Sequence, residues 1–488
     1  MTQWIDRLSA RVGMLAAAVL LSGCATLRSD LPAPVEEALR TAGVSTRALA
    51  AVAFPIDAPQ RGLRVNPDQS MQPASTMKLV TAVVALDRLG PNSRGKTELL
   101  VDAVPDGGLG VVDGRLTGPL YLKGGADLDL DWSELGLMLR ELRERHGLRE
   151  LNGGIVVDRS LFQPARPDLG VAPFDEQPEF PYNVIPDALN LNGSLLDLDL
   201  WSDDRSVQVR PFPGFGEVDI DTRELRLNDA ACRDWERDWL TPRQTPRPDG
   251  GTRVVLQGAF PKGCQVRQSL NLMDRQGLTA QALRQLWGSL GGTVSGEIRE
   301  GLTPVSAQPV VRHQDRPLAE ALRQVLKRSD NPSARLIFNR LGAAVAGAGE
   351  STRAAAERQM RDWFAAQGLS SEGLVLENGS GLSRIERMTA AQMAGLLLAS
   401  QRGAHGPELL STLPVAGVDG TLSRRLKGTP AEGRARMKTG TLRNVVALAG
   451  YVPDASGRLW VVVAMINDDQ AARARPAIDA LVAWVAGQ

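Results

Sequence analysis

Three short polar segments, far apart in the chain, set the tightest limit on how it can fold: Ser75-Thr76-Met77-Lys78, Ser329-Asp330-Asn331 and Lys438-Thr439-Gly440-Thr441. Ser75 and Lys78 stand three apart where an apolar helical stretch begins, so both side chains share a face. The helix start adds free N–H groups and the positive end of the dipole. A desolvated, neutral Lys78 there can take the hydroxyl proton of Ser75 and make it a nucleophile. Ser329-Asp330-Asn331 directly precedes Pro332, which predicts a loop at a helix boundary. Ser329 can relay protons to a leaving amine, and the amide of Asn331 can orient a peptide. Lys438-Thr439-Gly440-Thr441 falls in a strand-like run, where Gly440 permits close backbone approach. Lys438 offers a positive charge, the Thr439 and Thr441 hydroxyls can bind a terminal carboxylate, and the Thr441 and Ser75 N–H groups can pair as an oxyanion hole. Taken singly, each segment is a cap, a turn or a strand edge. Acting together, a helix start, a loop and a strand must meet in one cleft, although 251 residues separate Lys78 from Ser329.

Composition sharpens the reading. With 56 basic and 56 acidic residues the chain is formally neutral, which argues against a nucleic-acid partner. Only seven of the basic residues are lysine, at 78, 96, 123, 262, 327, 427 and 438. Lysine can lose its proton when desolvated and arginine cannot, so the two lysines inside motifs are informative. None of the three histidines adjoins a nucleophile, and three cysteines with three histidines show no metal-ligand spacing. No metal and no cofactor are expected.

The first residues read as an address. Arg7 and Arg11 precede a short apolar run at 12–21, too short for a comfortable membrane span, and small residues follow, as in a secretory signal. Leu21-Ser22-Gly23-Cys24 resembles the lipobox of bacterial lipoproteins. That resemblance implies a signal peptide over 1–23, lipidation of Cys24, a tether over 24–35, and membrane attachment through the lipid. Ala25 and Thr26 after the cysteine, with no Asp, point to the outer membrane. In an oxidising compartment Cys232 and Cys264 either pair as a disulfide or stay as two buried thiols.

Texture divides the rest. Helices are expected at 35–41, 79–89, 132–146, 278–290, 318–327, 332–341, 351–367, 389–400 and 471–485. A hairpin is expected over 48–65, and a three-stranded meander over 435–442, 445–452 and 459–466. Between about 96 and 302 strand-like runs and Gly- and Pro-rich turns dominate, with 165–265 the richest and 241–251 an exposed loop. This is an α/β (α+β) pattern in which an antiparallel sheet flanked by helices, from 36–95 and 303–488, is interrupted by β-rich insertions over 96–302.

In this order and at these places, the three motifs resemble those of β-lactamases and penicillin-binding proteins. The long gap between the first two resembles the low-molecular-mass D-alanyl-D-alanine carboxypeptidase/endopeptidase group (class C, peptidase S13 type). The resemblance implies a β-lactamase/transpeptidase-like domain with nested inserted domains, and a periplasmic, lipid-anchored hydrolase of peptidoglycan peptides that β-lactams inhibit covalently. It implies Ser75 as nucleophile, Lys78 as general base and Ser329 as proton relay. Asn331 would hold the acyl side, and Lys438, Thr439, Gly440 and Thr441 the carboxylate end. Many relatives carry an acidic residue shortly after the second motif, where Ala334-Arg335 stand here. A β-lactamase or another hydrolase with the same Ser/Lys pair fits the motifs but not the long insertion. A catalytically idle peptidoglycan-binding envelope protein does not need the intact Ser75, Lys78, Ser329 and Lys438. Oligomeric state leaves no mark in the sequence.

Overall fold

A computed structural model describes residues 31–104, 109–212, 214, 218–247 and 251–488. The expected signal peptide, Cys24 and the first part of the tether lie outside the described residues. Among those described, no helix is long and apolar enough to cross a membrane.

Five strands form the central antiparallel sheet, in the order Arg436–Leu442, Val445–Pro453, Leu459–Asn467, Leu49–Pro55 and Leu63–Val65. The middle strands read as near-continuous apolar runs because both faces are covered. Successive side chains alternate between the faces. Val461, Val463 and Met465 join the core beneath the main helical cluster. Val462, Ala464 and Ile466 face the other way, toward helices Ala33–Ala42 and Arg475–Ala486. The last helix begins later than the sequence pattern suggests. Pro476 lacks an N–H and suits only a first turn, so residues Ala471–Ala474 form a separate 3₁₀ turn.

Helix Met77–Arg88 lies inside the helical cluster, with every residue from Met77 to Leu86 buried. Helices Leu318–Arg328, Asn331–Ala343, Thr352–Ala366 and Ala390–Arg402 surround it.

The chain leaves this body on strand Lys96–Val101 and returns on Gln308–Gln314, and these two pair antiparallel. The returning strand lies beyond the expected limit of the insertion at residue 302. With Leu120–Gly125, Ile155–Asp158 and Ile298–Glu300 they make a mixed five-stranded sheet. Further out lie two three-stranded sheets, one of them ordered Val218–Asn228, Thr252–Pro261, Trp239–Pro246. That order corrects the loop expected at 241–251, since residues 241–246 are an edge strand paired with Thr252–Pro261. Pro242 is tolerated because it sits on the edge, inside a register shift between Leu240 and Arg243. Cys232 and Cys264 are joined by a disulfide within this outer region.

Candidate active site

Ser75 lies in a 3₁₀ turn, Ala74–Thr76, that feeds directly into helix Met77–Arg88. No side chain caps that helix, so its N-terminal dipole stays directed at the turn. Ala74 is held at φ 47°, in the left-handed region that costs a non-glycine residue about 1 kcal/mol or more. Two glycines allow the turn to be enclosed. A Cβ on Gly381, at φ 82°, would fall 1.9 Å from the Ala74 carbonyl oxygen, and one on Gly440 would fall 2.7 Å from that of Pro73.

Lys78 is 1% exposed. Its Nζ lies 3.2 Å from Ser75 Oγ, 2.5 Å from Asn331 Oδ1 and 2.5 Å from the Ser380 carbonyl oxygen. Burial, and then the charge of Lys438, hold its pKa well below the ordinary lysine value. A neutral amine has two N–H donors and one lone pair. Asn331 Oδ1 and the Ser380 carbonyl can only accept, so they take both donors and leave the lone pair for the Ser75 hydroxyl.

Ser329-Asp330-Asn331 forms the corner between two helices. Ser329 caps Leu318–Arg328 at φ 61°, and Asp330 caps Asn331–Ala343, its Oδ1 accepting from Ser333 N–H. The left-handed turn presents Ser329 Oγ to Lys438 Nζ at 2.9 Å. Lys438 is fully buried on the edge strand of the central sheet, and burial pushes its pKa down to about 7. Its Nζ also donates to the Thr439 carbonyl at 2.8 Å. Thr439 Oγ1 lies 2.8 Å from Thr421 Oγ1, while Thr441 is exposed. The three motifs therefore meet through Lys78–Asn331 and Lys438–Ser329, and Ser75, Ser329 and Thr439 are each half-buried.

Several contributors carry no motif. The Ser380 carbonyl comes from the loop 377–386. Asn331 Nδ2 donates to the Tyr182 carbonyl at 3.1 Å, and Arg335 NH1 to the carbonyls of Asn183 and Val184 at 2.9 and 2.8 Å. The inserted region thus reaches the site through turn Pro181–Asn183. Main-chain acceptors leave no trace in residue type, so the sequence does not mark them. Thr421 is held beside the cleft because Lys327 Nζ binds Asp419 at 2.5 Å. Beside loop 377–386 lies a cavity of about 620 Å³, bordered among others by Arg275, Arg335, Arg384, Asp168 and Glu377. Among the described residues no group of three or more His, Cys, Asp or Glu could hold a metal ion.

A sequence profile of the D-Ala-D-Ala carboxypeptidase 3 (S13) family matches residues 31–488. The chain belongs to this family. The D-alanyl-D-alanine carboxypeptidase of Actinomadura sp. (strain R39) is 30% identical to this S13 carboxypeptidase over 407 residues, covering 80% of the chain and 72% of the relative. D-alanyl-D-alanine carboxypeptidase DacB of Haemophilus influenzae is 26% identical over 426 residues, covering 82% and 81%. In fold, the S13 carboxypeptidase is similar to the crystal structure of penicillin binding protein 4 from H. influenzae. The TM-score is 0.76 at 22% identity, over 93% of this chain and 99% of that one. It is a serine D-Ala-D-Ala carboxypeptidase built on a β-lactamase/transpeptidase-like fold with inserted domains.

Proposed function

We propose that Ser75 is the nucleophile and Lys78 the base of an acyl-enzyme reaction on peptidoglycan stem peptides, both at D-Ala-D-Ala ends and at D-alanyl cross-links. The buried Lys78 amine, with two fixed acceptors and one remaining partner, carries this reading. Lys78 takes the Ser75 proton as Oγ bonds to the D-alanyl carbonyl carbon. The peptide C–N bond then breaks, and Ser329, beside Lys438, relays to the departing amine the proton that Lys78 took from Ser75, which leaves Lys78 neutral again. Asn331 orients the acyl side, and Lys438, Thr439, Gly440 and Thr441 receive the terminal carboxylate. Water finally cleaves the ester and restores Ser75. In this reading the stretches on either side of the insertion make one domain. The cavity beside loop 377–386, which mixes arginines with carboxylates, receives the stem. β-Lactams acylate Ser75 as analogues of the D-Ala-D-Ala end. The protein works in the periplasm, anchored through a lipid on Cys24, in the outer membrane.

Labelling by a fluorescent penicillin tests the chemistry. Ser75→Ala should abolish it, and Lys78→Arg should too, because arginine keeps its proton. Labelling that survives in Lys78→Arg would overturn the general-base role. Mass spectrometry of muropeptides before and after treatment reads the balance between trimming stems and opening cross-links. Loss of lipid labelling in Cys24→Ala checks the anchor.

A further inference from the structure

Glu386 is 1% exposed, and no sequence motif points to it. Its Oε1 accepts three main-chain N–H bonds, from Glu377, Asn378 and Gly379, at 3.2, 3.1 and 3.1 Å. Its own N–H is held by Ser383 Oγ at 3.0 Å. Both ends of loop 377–386 are thereby tied to one carboxylate. Within the loop, Asn378 Oδ1 accepts from the N–H and hydroxyl of Ser380 at 3.0 and 2.6 Å. The Gly379 carbonyl accepts from Thr81 Oγ1 at 2.7 Å, one helical turn beyond Lys78. What the loop delivers at the end of this chain of bonds is the Ser380 carbonyl, 2.5 Å from Lys78 Nζ.

We propose that Glu386 is a positioning residue for acylation: its carboxylate holds the turn at Glu377–Gly379 so that the Ser380 carbonyl keeps one donor of the Lys78 amine and leaves the lone pair on Ser75. This rests on Lys78 being the base. Burial raises the pKa of Glu386, while the three converging N–H donors pull the other way and favour its ionised form; its Oε2, buried without a hydrogen-bond partner, has no acceptor for a proton. The charge also answers Arg335, a buried guanidinium whose Nε has no partner and whose NH1 binds only carbonyls of the insertion. The charged groups around the pair are Lys78, Arg335 and Glu377 toward Glu386, and Lys438, Asp330 and Arg335 toward Lys78.

The test is the pH profile of penicillin acylation in Glu386→Ala and Glu386→Gln. Losing all three bonds should let the Ser380 carbonyl drift, and Glu386→Ala should acylate about 10- to 100-fold more slowly. Glutamine keeps an acceptor but no charge, so Glu386→Gln should retain most of the plateau rate. Its acid limb should move to lower pH by about 0.5 unit or more, because a negative charge that favours the Lys78 ammonium is gone. A purely structural role would leave that limb in place. An unmoved limb in Glu386→Gln, or Glu386→Ala within about twofold of the native rate, overturns the inference. If Glu386→Ala does not fold, Glu386→Gln decides alone. Lys78→Arg run alongside separates the two ideas. Labelling retained there defeats the reading of Lys78, whereas labelling lost there with both Glu386 variants unchanged defeats only the role of Glu386.

Discussion

Two buried lysines lie at the meeting point of the three motifs, and burial is the first cause of the depressed pKa of each. Burial, and then the charge of Lys438, hold the Lys78 pKa well below the ordinary lysine value. Lys438 is displaced by burial alone, to about 7. In the proposed reading Lys78 is the base and must be neutral, so acylation should rise with pH through its depressed pKa. In the same proposed reading Lys438 receives the carboxylate and must be charged, so substrate affinity should be full below about 7 and fade above it. The KM for a D-Ala-D-Ala peptide should therefore increase as pH rises through neutrality. In Lys438→Arg, which stays charged, that increase should vanish even if turnover is slower. Steady-state kinetics from pH 6 to 9 on both proteins checks this; a KM rise that persists in the arginine variant removes Lys438 from the role.

At the scale of elements, the Ser75 turn is clamped between a loop and a strand, each approaching through a glycine. Gly381→Ala combines a positive φ with a Cβ 1.9 Å from the Ala74 oxygen and 2.7 Å from Ser75 N. The turn must move, and a shift of that size should slow penicillin acylation by about 100-fold. Thermal unfolding should register only a modest loss, because the strain is local. Elements with chemical punctuation were legible in sequence. Helix Trp132–His146 starts on an Asp131 cap and stops at Gly147 in the left-handed region, and both ends were readable. The first turn of helix Arg275–Ser289 was missed, although Asp274 caps it. Strand Trp239–Pro246 was hidden by prolines whose cost disappears on a sheet edge. The Ser/Lys, Ser/Asn and Lys/Thr segments were legible because their roles require particular side chains at fixed spacing. Ser380 and Tyr182 were not legible as acceptors, since any residue supplies a carbonyl. Glu386 was not, because its carboxylate has meaning only once the loop closes over it.

The molecule as a whole is a catalytic body carrying a large insertion on two paired strands, and its stability should divide accordingly. The Cys232–Cys264 disulfide closes a loop of 32 residues in the outer β region, a constraint worth about 4 kcal/mol. Cys232→Ser with Cys264→Ser should lower the urea midpoint of that region and leave penicillin labelling intact. The seam between insertion and body has its own titration. Asp315 is buried where the insertion rejoins the body. Its Oδ1 accepts from Gly95 N–H at 2.6 Å, and its Oδ2 from Leu128 N–H at 3.0 Å and Arg340 at 3.3 Å. Burial outweighs these partners and raises its pKa from 3.8 to about 6. A carboxyl whose folded pKa exceeds its unfolded value binds its proton more tightly in the fold. Its contribution to stability is then complete below about pH 4 and is lost as pH rises through 6. Asp315→Asn cannot titrate, so the stability gap between native protein and variant should be wider at pH 4.5 than at pH 7.5 in urea unfolding. A gap that instead widens with rising pH would mean that Arg340 and the two N–H donors outweigh the cost of burying the charge, and that the seam is held by an ionised Asp315.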